Sequence, residues 1–295
     1  MKHKARKGII LAGGSGTRLY PLSKSVSKQL MPVYDKPMIY YPLSILMQSG
    51  IREILIITKP NDKKNFYDLL GNGNHLGINI NYEVQKSPDG IAQSFLIAEK
   101  FLSGCKSTLI LGDNIFYGPN FNTLLNEAYD NDTGATIFTH KVNDPENYGV
   151  IELENHKIKS IEEKPELPKS NYVVTGLYYY DEQVVEYAKS LKPSHRGELE
   201  ITDINNIYLE NSALEYKLMD EKYSWLDTGT HDSLLQAGNF IASLESKNNK
   251  KICCPEEISF NSGWITNKQL QALSESLINT NYGKYLMSLI EKNNI

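Results

Sequence analysis

The chain has 295 residues, 40% of them hydrophobic and 22% charged, with a formal net charge of −4. Folding a chain of this size buries roughly three-quarters of its surface, which excludes a disordered protein and one that depends on disulfides for a core. The acidic balance excludes a protein that coats nucleic acid through bulk charge, although residues 1–36 hold eight basic side chains against the single acid Asp35, a local sum of +7 that leaves −11 for the remainder.

In chain order, the basic start runs into apolar residues 8–12, a stretch too short for the core of a signal peptide. Residues 8–11 read as a short buried strand, and residues 38–48 have helical spacing that stops at Gly50. The longest apolar-leaning run, residues 38–47, is half a membrane span. Residues 53–58 are a β-branched run of the kind found in buried parallel strands. A helix follows over residues 61–70, then a strand over 78–84, a helix over 91–102 and a strand over 107–111 that ends in Gly112, Asp113 and Asn114. This rhythm predicts an α/β, Rossmann-like, mixed but mainly parallel sheet with helices on both faces. Its ligands should sit at the carboxyl ends of the strands.

After Gly134 the pattern changes to strands over residues 135–141, 149–154, 157–162 and 173–180, read as an antiparallel insertion against the same sheet. From His231 the chain is mostly helical, over residues 231–245, 267–276 and 282–292, with the polar residues 246–251 as a break before a helical C-terminal tail. Cys105, Cys253 and Cys254 form an odd set without metal-ligand spacing. Free thiols in a reducing cytosol are the favoured reading, ahead of a strained vicinal disulfide. A cytoplasmic protein without membrane or nucleic-acid partners is expected.

The chemistry concentrates in a few segments. Gly13, Gly14 and Gly16 follow the first strand, and Thr17 and Arg18 come next, so backbone N–H groups can form a nest around an anion. The loop is neither a P-loop, which ends Gly-Lys-Ser/Thr, nor a dinucleotide fingerprint, which needs glycine where Leu19 stands. A structural turn explains glycines alone equally well. Arg18 and Lys28 favour phosphate, because a guanidinium matches it bidentately and an ammonium adds a point charge. Lys24 and Lys36 stay undecided, and Lys2, Lys4, Arg6 and Lys7 read as a solvated tail. Asp113 and Asp227, each a turn aspartate by itself, could together share one Mg²⁺ ion, which takes one or two carboxylates plus phosphate oxygens. Lys164 closes a strand before Pro165, and Tyr148 precedes Gly149, where backbone could approach a sugar. Tyr178, Tyr179 and Tyr180 should point alternately to opposite faces of one strand. His140, His156, His195 and His231 lack zinc-site spacing, and no serine or cysteine nucleophile arrangement is present.

Taken together and in order, these segments resemble the sugar-nucleotide pyrophosphorylases over essentially the whole chain. The likeness rests on residues 11–19, 27–39, 87–93, 111–114, 144–149, 162–165, 168–172, 196–203 and 225–232. The resemblance implies that glucose 1-phosphate attacks the α-phosphorus of dTTP to give dTDP-glucose and pyrophosphate, with Mg²⁺ as cofactor. It implies that Gly13, Gly14, Gly16, Thr17 and Arg18 wrap the triphosphate, with Lys28 neutralising its charge and Gln29 holding the nucleoside. Gln85 and the backbone of Gly90 would read the thymine edge, and Asp113 and Asp227 would ligate the metal. Lys164 would grip the sugar phosphate, while Tyr148, Gly149, Glu163, Val174 and Trp225 surround the glucose; Asn114 and Tyr178 complete the substrate-binding set. Arg18, Lys28, Lys164 and Asp113 would carry the catalytic step. The change of pattern after Gly134 and the polar break from residue 246 divide the chain into a core over 1–246, with a nucleotide-binding part about 1–133 and a sugar-binding part about 134–230, and a helical segment over 247–295 expected to serve assembly or regulation. The resemblance also implies a homotetramer with feedback inhibition by a later sugar nucleotide. A uridylyl- or guanylyltransferase is the nearest alternative, since thymine and uracil differ by one methyl. A non-catalytic nucleotide-sugar sensor is the more distant one, and it should lack an arginine, lysine or acid of this set.

Overall fold

The structure, a computed structural model, describes residues 5–293. Its first strand, β1 (Arg6–Ala12), is buried on both faces through Ile9 and Ile10, as the centre of a parallel sheet requires. Short 3-10 turns carry the glycine loop into a two-stranded ribbon, β2 (Pro32–Val33) and β3 (Lys36–Pro37). Then α1 (Tyr40–Gln48), β4 (Glu53–Thr58), α2 (Lys63–Leu70), β5 (Asn79–Val84), α3 (Gln93–Leu102) and β6 (Lys106–Leu111) alternate. These strands lie parallel in the order β6-β1-β4-β5. Leu11 is level with both Ile57 and Leu111, so the loops after β1 and β6 leave the sheet at one edge. That edge is where ligands of open α/β sheets bind.

The second half extends the same sheet. After β7 (Asn114–Tyr117) and α4 (Phe121–Asp130) come β8 (Ala135–Lys141), the hairpin β9 (Gly149–Glu154) and β10 (Lys157–Glu163), and β11 (Tyr172–Tyr180). β11 runs antiparallel to β6, with Leu177 opposite Ile110, and joins β8 and the hairpin to the parallel half in one nine-stranded sheet. The rings of β11 alternate as the strand period dictates, Tyr179 packing into one hydrophobic layer and Tyr178 and Tyr180 into the other. The insertion is more mixed than its sequence suggests. α5 (Val184–Ser190) and α6 (Ile201–Glu210) lead to β12 (Leu214–Met219), which pairs parallel to β8. Helices cover both faces: Leu46 of α1, Phe66 of α2 and Leu125 of α4 on one side, Phe95 of α3, Val184 of α5 and Ile204 of α6 on the other.

β13 (Ser224–Asp227) pairs antiparallel with β7 in a small ribbon above the sheet edge. α7 (His231–Asn248) starts at a capping box between Thr230 and Ser233 and runs past Glu245, since Ser246, Lys247 and Asn248 contain no helix stop. The chain turns at Asn249, which is left-handed at φ 50°, so the break lies after the helix rather than from residue 246. α8 (Pro255–Asn261), α9 (Asn267–Ser276) and α10 (Asn281–Asn293) form their own small core around Leu270 and Leu286 and dock on α1. The cysteines are free thiols, two of them buried. No helix among the described residues is long and apolar enough to cross a membrane.

The solvated-tail reading is corrected at two positions. Arg6 is 5% exposed, donating to the carbonyls of Ser107 at 2.7 Å and Tyr180 at 3.0 Å. Lys7 donates to the Phe101 carbonyl and lies over its ring. The physical reason is that β1 begins at Arg6, inside the sheet, so its flanking cations meet strand-end carbonyls instead of water. Lys2 and Lys4 lie outside the described residues. Lys36, left undecided by the sequence, is buried between Asp35 at 2.6 Å and Glu245 at 2.9 Å.

Candidate active site

The glycine loop leaves β1 directly at the ligand edge. Gly16 has φ 64°, a left-handed conformation that glycine adopts without steric cost. Its carbonyl accepts from Ser23 Oγ at 2.6 Å, which folds residues 17–24 back over the loop. A cavity of about 230 Å³ and another of about 320 Å³ open on either side of this segment. The larger is bordered by Gly13, Ser15, residues 23–27, residues 59–62, Gln85, Lys86 and Pro88. Lys24 therefore lies beside the loop, together with Lys59, which the sequence did not single out. Gln85 Nε2 donates to the Gly90 carbonyl at 3.2 Å, bringing those two expected base-reading groups together. Gln29 is 3% exposed and packs against Gly112, its Oε1 accepting from Ser27 Oγ, and it borders neither cavity.

The smaller cavity gathers Arg18, Asp113, Asn114, Tyr148, Gly149, Glu163, Lys164, Val174, Tyr178, Trp225 and Asp227. The β13–β7 register places Asp227 opposite Asn114, and Thr228 Oγ1 donates to the Asp113 carbonyl at 2.8 Å. Two acids from distant segments thus face each other. Lys28 Nζ crosses from the loop to donate to Asp113 Oδ2 at 2.5 Å and stands 3.9 Å from Asp227 Oδ1. Burial pushes the Asp227 carboxyl up to about 6, Asp113 adding to the rise while Lys28 and Arg18 oppose it. Burial also acts upward on Asp113, but direct contact with Lys28 carries it below its ordinary value. Burial, reinforced by Asp227, raises the Tyr148 hydroxyl to about 12, so it stays protonated and can donate.

Asn114 organises this floor. Its Nδ2 donates to Asp113 Oδ1 at 3.1 Å, and its Oδ1 accepts from Trp225 Nε1 at 2.6 Å and Gly176 N at 3.1 Å. A Cβ on Gly176 would lie 2.4 Å from that oxygen, so only glycine fits there. On the opposite wall Thr202 Oγ1 donates to Glu163 Oε2 at 2.5 Å, and Arg196 reaches Glu163 Oε1 at 3.4 Å. Lys164 holds a left-handed φ of 44° with its N–H on the Tyr148 carbonyl, which turns the chain out of β10 at the cavity. Sequence reasoning missed Gly176, Thr175 and Thr202, which line the cavity. A glycine interrupting the β-branched and aromatic run of β11 was an available signal of close approach.

Two partly exposed carboxylates open to the cavity share a single close ammonium, Lys28, which lies nearer Asp113 than Asp227. That donor set fits a hard divalent cation that completes its shell with water and phosphate oxygens. No cluster of three or more potential ligands exists among the described residues.

A glycine loop, a carboxylate pair and convergent cations at the carboxyl edge of an α/β sheet define an enzyme that joins phosphate-bearing substrates. The nucleotidyl transferase family pattern matches residues 7–243. A glucose-1-phosphate thymidylyltransferase of Xanthomonas campestris pv. campestris is 56% identical over 288 residues, 97% of this chain and 98% of that one. One from Mycobacterium tuberculosis is 50% identical, covering 97% of this chain and 100% of its own. Among solved structures, a glucose-1-phosphate thymidylyltransferase from Bacillus anthracis in complex with a sucrose is 46% identical, with a TM-score of 0.75 over 80% of this chain and 95% of that one. A UDP-glucose pyrophosphorylase complexed with UDP-glucose shares the fold at 24% identity, with a TM-score of 0.71 over 81% and 99% of the two chains. The chain belongs to the nucleotidyl transferase family and, within it, to the glucose-1-phosphate thymidylyltransferases.

Proposed function

We propose that this enzyme transfers the thymidylyl group of dTTP to glucose 1-phosphate, releasing dTDP-glucose and pyrophosphate. The observation that carries the reading is Lys28, which leaves the loop bordering one cavity and ends on the acid pair bordering the other. The larger cavity takes the nucleoside triphosphate and the smaller takes the sugar, so the reacting phosphates meet at Arg18, Lys28, Asp113 and Asp227.

The sugar phosphate is already ionised at neutral pH, so the attack needs no general base. The step needs two polyanions aligned in line and charge stabilised at phosphorus. Arg18 packs against Gly229 and lies in the sugar cavity, where it faces the α-phosphate. Lys164, presented by its left-handed turn, grips the sugar phosphate. Asn114 and Glu163 provide polar groups around the hexose, the Trp225 ring lines it with its N–H held by Asn114, and Tyr178 closes its floor. Asp113 and Asp227 would hold Mg²⁺, which when bound offsets phosphate charge and polarises the phosphoryl group.

The same reading divides the chain into a nucleotide part over about 1–133, a sugar part over about 134–230 and a helical assembly segment over 247–295; the lining of the larger cavity by residues 13–88 and the separate small core of α8–α10 support it, while Arg18, Asp113 and Asn114 of the first part also line the smaller cavity. A homotetramer with α8–α10 at subunit contacts is part of the same proposal. The free cysteines suit the cytoplasm. The test is pyrophosphate release across dTTP, UTP, GTP and dCTP with several hexose 1-phosphates, with and without Mg²⁺. The expected result is fastest release with dTTP and glucose 1-phosphate, lost on metal chelation. Faster release with UTP or GTP would reassign the base, and binding of dTTP without turnover of any sugar phosphate would reassign the protein as a sensor.

A further inference from the structure

We propose that Asp89 and Gln93 act as positioning residues, a polarity relay that fixes Gln85 as a hydrogen-bond acceptor toward the nucleobase and so selects bases carrying an imide N–H. The inference rests on the larger cavity being the nucleotide site, and it adds which side chains impose base choice. Gln85 follows β5 and is 4% exposed. Its Oε1 lies beside Gly13, so close that a Cβ there would come within 2.2 Å of it. Its Nε2 donates both hydrogens inward, to the Gly90 carbonyl at 3.2 Å and to Gln93 Oε1 at 2.7 Å. Gln93, the first residue of α3, donates its own Nε2 to Asp89 Oδ2 at 2.8 Å.

A carboxamide alone can face either way, but a carboxylate only accepts. Asp89 therefore turns the Gln93 nitrogen toward itself and the Gln93 oxygen toward Gln85. That oxygen in turn draws the Gln85 nitrogen inward and leaves Oε1 directed at the Gly13 cavity. Asp89 is itself anchored, since its carboxylate accepts from Ser87 Oγ and its carbonyl accepts from Leu199 N at 2.7 Å. A base meeting Gln85 Oε1 must bring a donor. The N3–H of thymine or uracil does so, whereas cytosine N3 and adenine N1 are acceptors that would leave two lone pairs opposed. A buried polar group left without its partner rejects the wrong ligand far better than a missing methyl does.

The experiment measures kcat/KM for dTTP, dUTP and dCTP with glucose 1-phosphate in three proteins: wild type, Gln93→Leu, and the double variant Asp89→Asn/Gln93→Glu. In the double variant the amide at position 89 donates to a carboxylate at position 93, which still accepts from Gln85, so the relay keeps its direction with the charge moved. Gln93→Leu should lower the dTTP-to-dCTP ratio by about tenfold, the worth of one hydrogen bond, because the Gly90 carbonyl still holds Gln85. The dTTP-to-dUTP ratio should not change, since both bases carry the imide, and the double variant should keep the wild-type ratios. An unchanged dTTP-to-dCTP ratio in Gln93→Leu, an equal fall with all three nucleotides, or loss of the ratio in the double variant would overturn the relay. Should Gln93→Leu fail to fold, Asp89→Ala reads the same ratio with the same expected fall. A wild-type enzyme that uses none of the three nucleotides would instead overturn the assignment of the cavity.

Discussion

In the unit of Asp113, Asp227 and Lys28, the ammonium holds Asp113 low and opposes the rise that burial and Asp113 impose on Asp227, so removing one member changes the site beyond its own contact. Asp113→Ala should lower kcat by about 10²–10³, as loss of one preorganised electrostatic group does, and near wild-type turnover would refute the assignment. Trp225→Phe keeps the apolar ring but removes the indole N–H that Asn114 Oδ1 accepts at 2.6 Å. The expected result is a rise of about tenfold in KM for glucose 1-phosphate with KM for dTTP unchanged, the size of one lost hydrogen bond. Equal changes in both constants would mean that Trp225 does not belong to the sugar side. At this scale the sequence was informative, because Arg18, Lys28, Asp113 and Lys164 are residue types whose chemistry differs from that of an ordinary loop. It was uninformative for Arg6 and Lys36, where a cation was read as solvated or left undecided. Burial beside carbonyls or carboxylates depends on which strands arrive next to them.

Among the elements, α7 has the clearest mechanical role. Its N-terminus follows Asp227 and Gly229 beside the smaller cavity, and near its C-terminus Glu245 holds Lys36 at 2.9 Å and Lys251 at 2.7 Å. Lys36 belongs to β3, a few residues beyond Lys28, so the helix ties the loop and the acid pair into one frame. Glu245→Ala leaves Lys36 buried with Asp35 alone and should cost about 1–3 kcal/mol of stability in denaturant unfolding. Burial would raise the Asp35 carboxyl, yet Lys36 and Lys251 together carry it below its ordinary value. A carboxyl lowered by folding contributes stability that is present above its unfolded pKa of about 3.9 and is lost as pH falls through the folded value. Lys251 is raised: burial acts downward, but hydrogen bonds to Asp35 and Glu245 outweigh it. Its contribution is therefore present below about 10.4 and lost as pH rises through the folded value. Stability against pH should show this network as a plateau with losses at both ends, and Lys251→Met should remove most of the alkaline loss and, because Lys251 also helps to lower Asp35, reduce the acid loss in part. The strands over 53–58, 135–141 and 149–154 were legible to the residue because β-branched runs are local. β13 and β12 were not, because four- to six-residue segments with mixed polarity become strands only when β7 and β8 offer them an edge.

For the whole molecule, the parallel and antiparallel halves are joined through β6, β11 and the Arg6 guanidinium, which donates to Ser107 of β6 and Tyr180 of β11. Arg6→Met removes that clamp far from the ligand edge. It should lower the unfolding free energy by about 1–3 kcal/mol while kcat at 25 °C stays within about twofold of wild type. A large loss of kcat with unchanged stability would contradict the purely structural role. Hydrophobic period, glycine placement and charge are properties of short segments, so the sheet class, the loop after its first strand and the charged groups that gather at the sheet edge were legible in the sequence. Only packing set Asp227 opposite Asn114 and so beside Asp113, fitted Asn114 against Gly176, turned Gln85 to Gly13, and placed Arg18, Lys24 and Lys28 at the cavities and the acid pair while Arg6 and Lys36 went into structural contacts. These outcomes depend on strand register and packing between residues far apart in the chain, and a one-residue shift in the β13–β7 ribbon would turn Asp227 away from its partner.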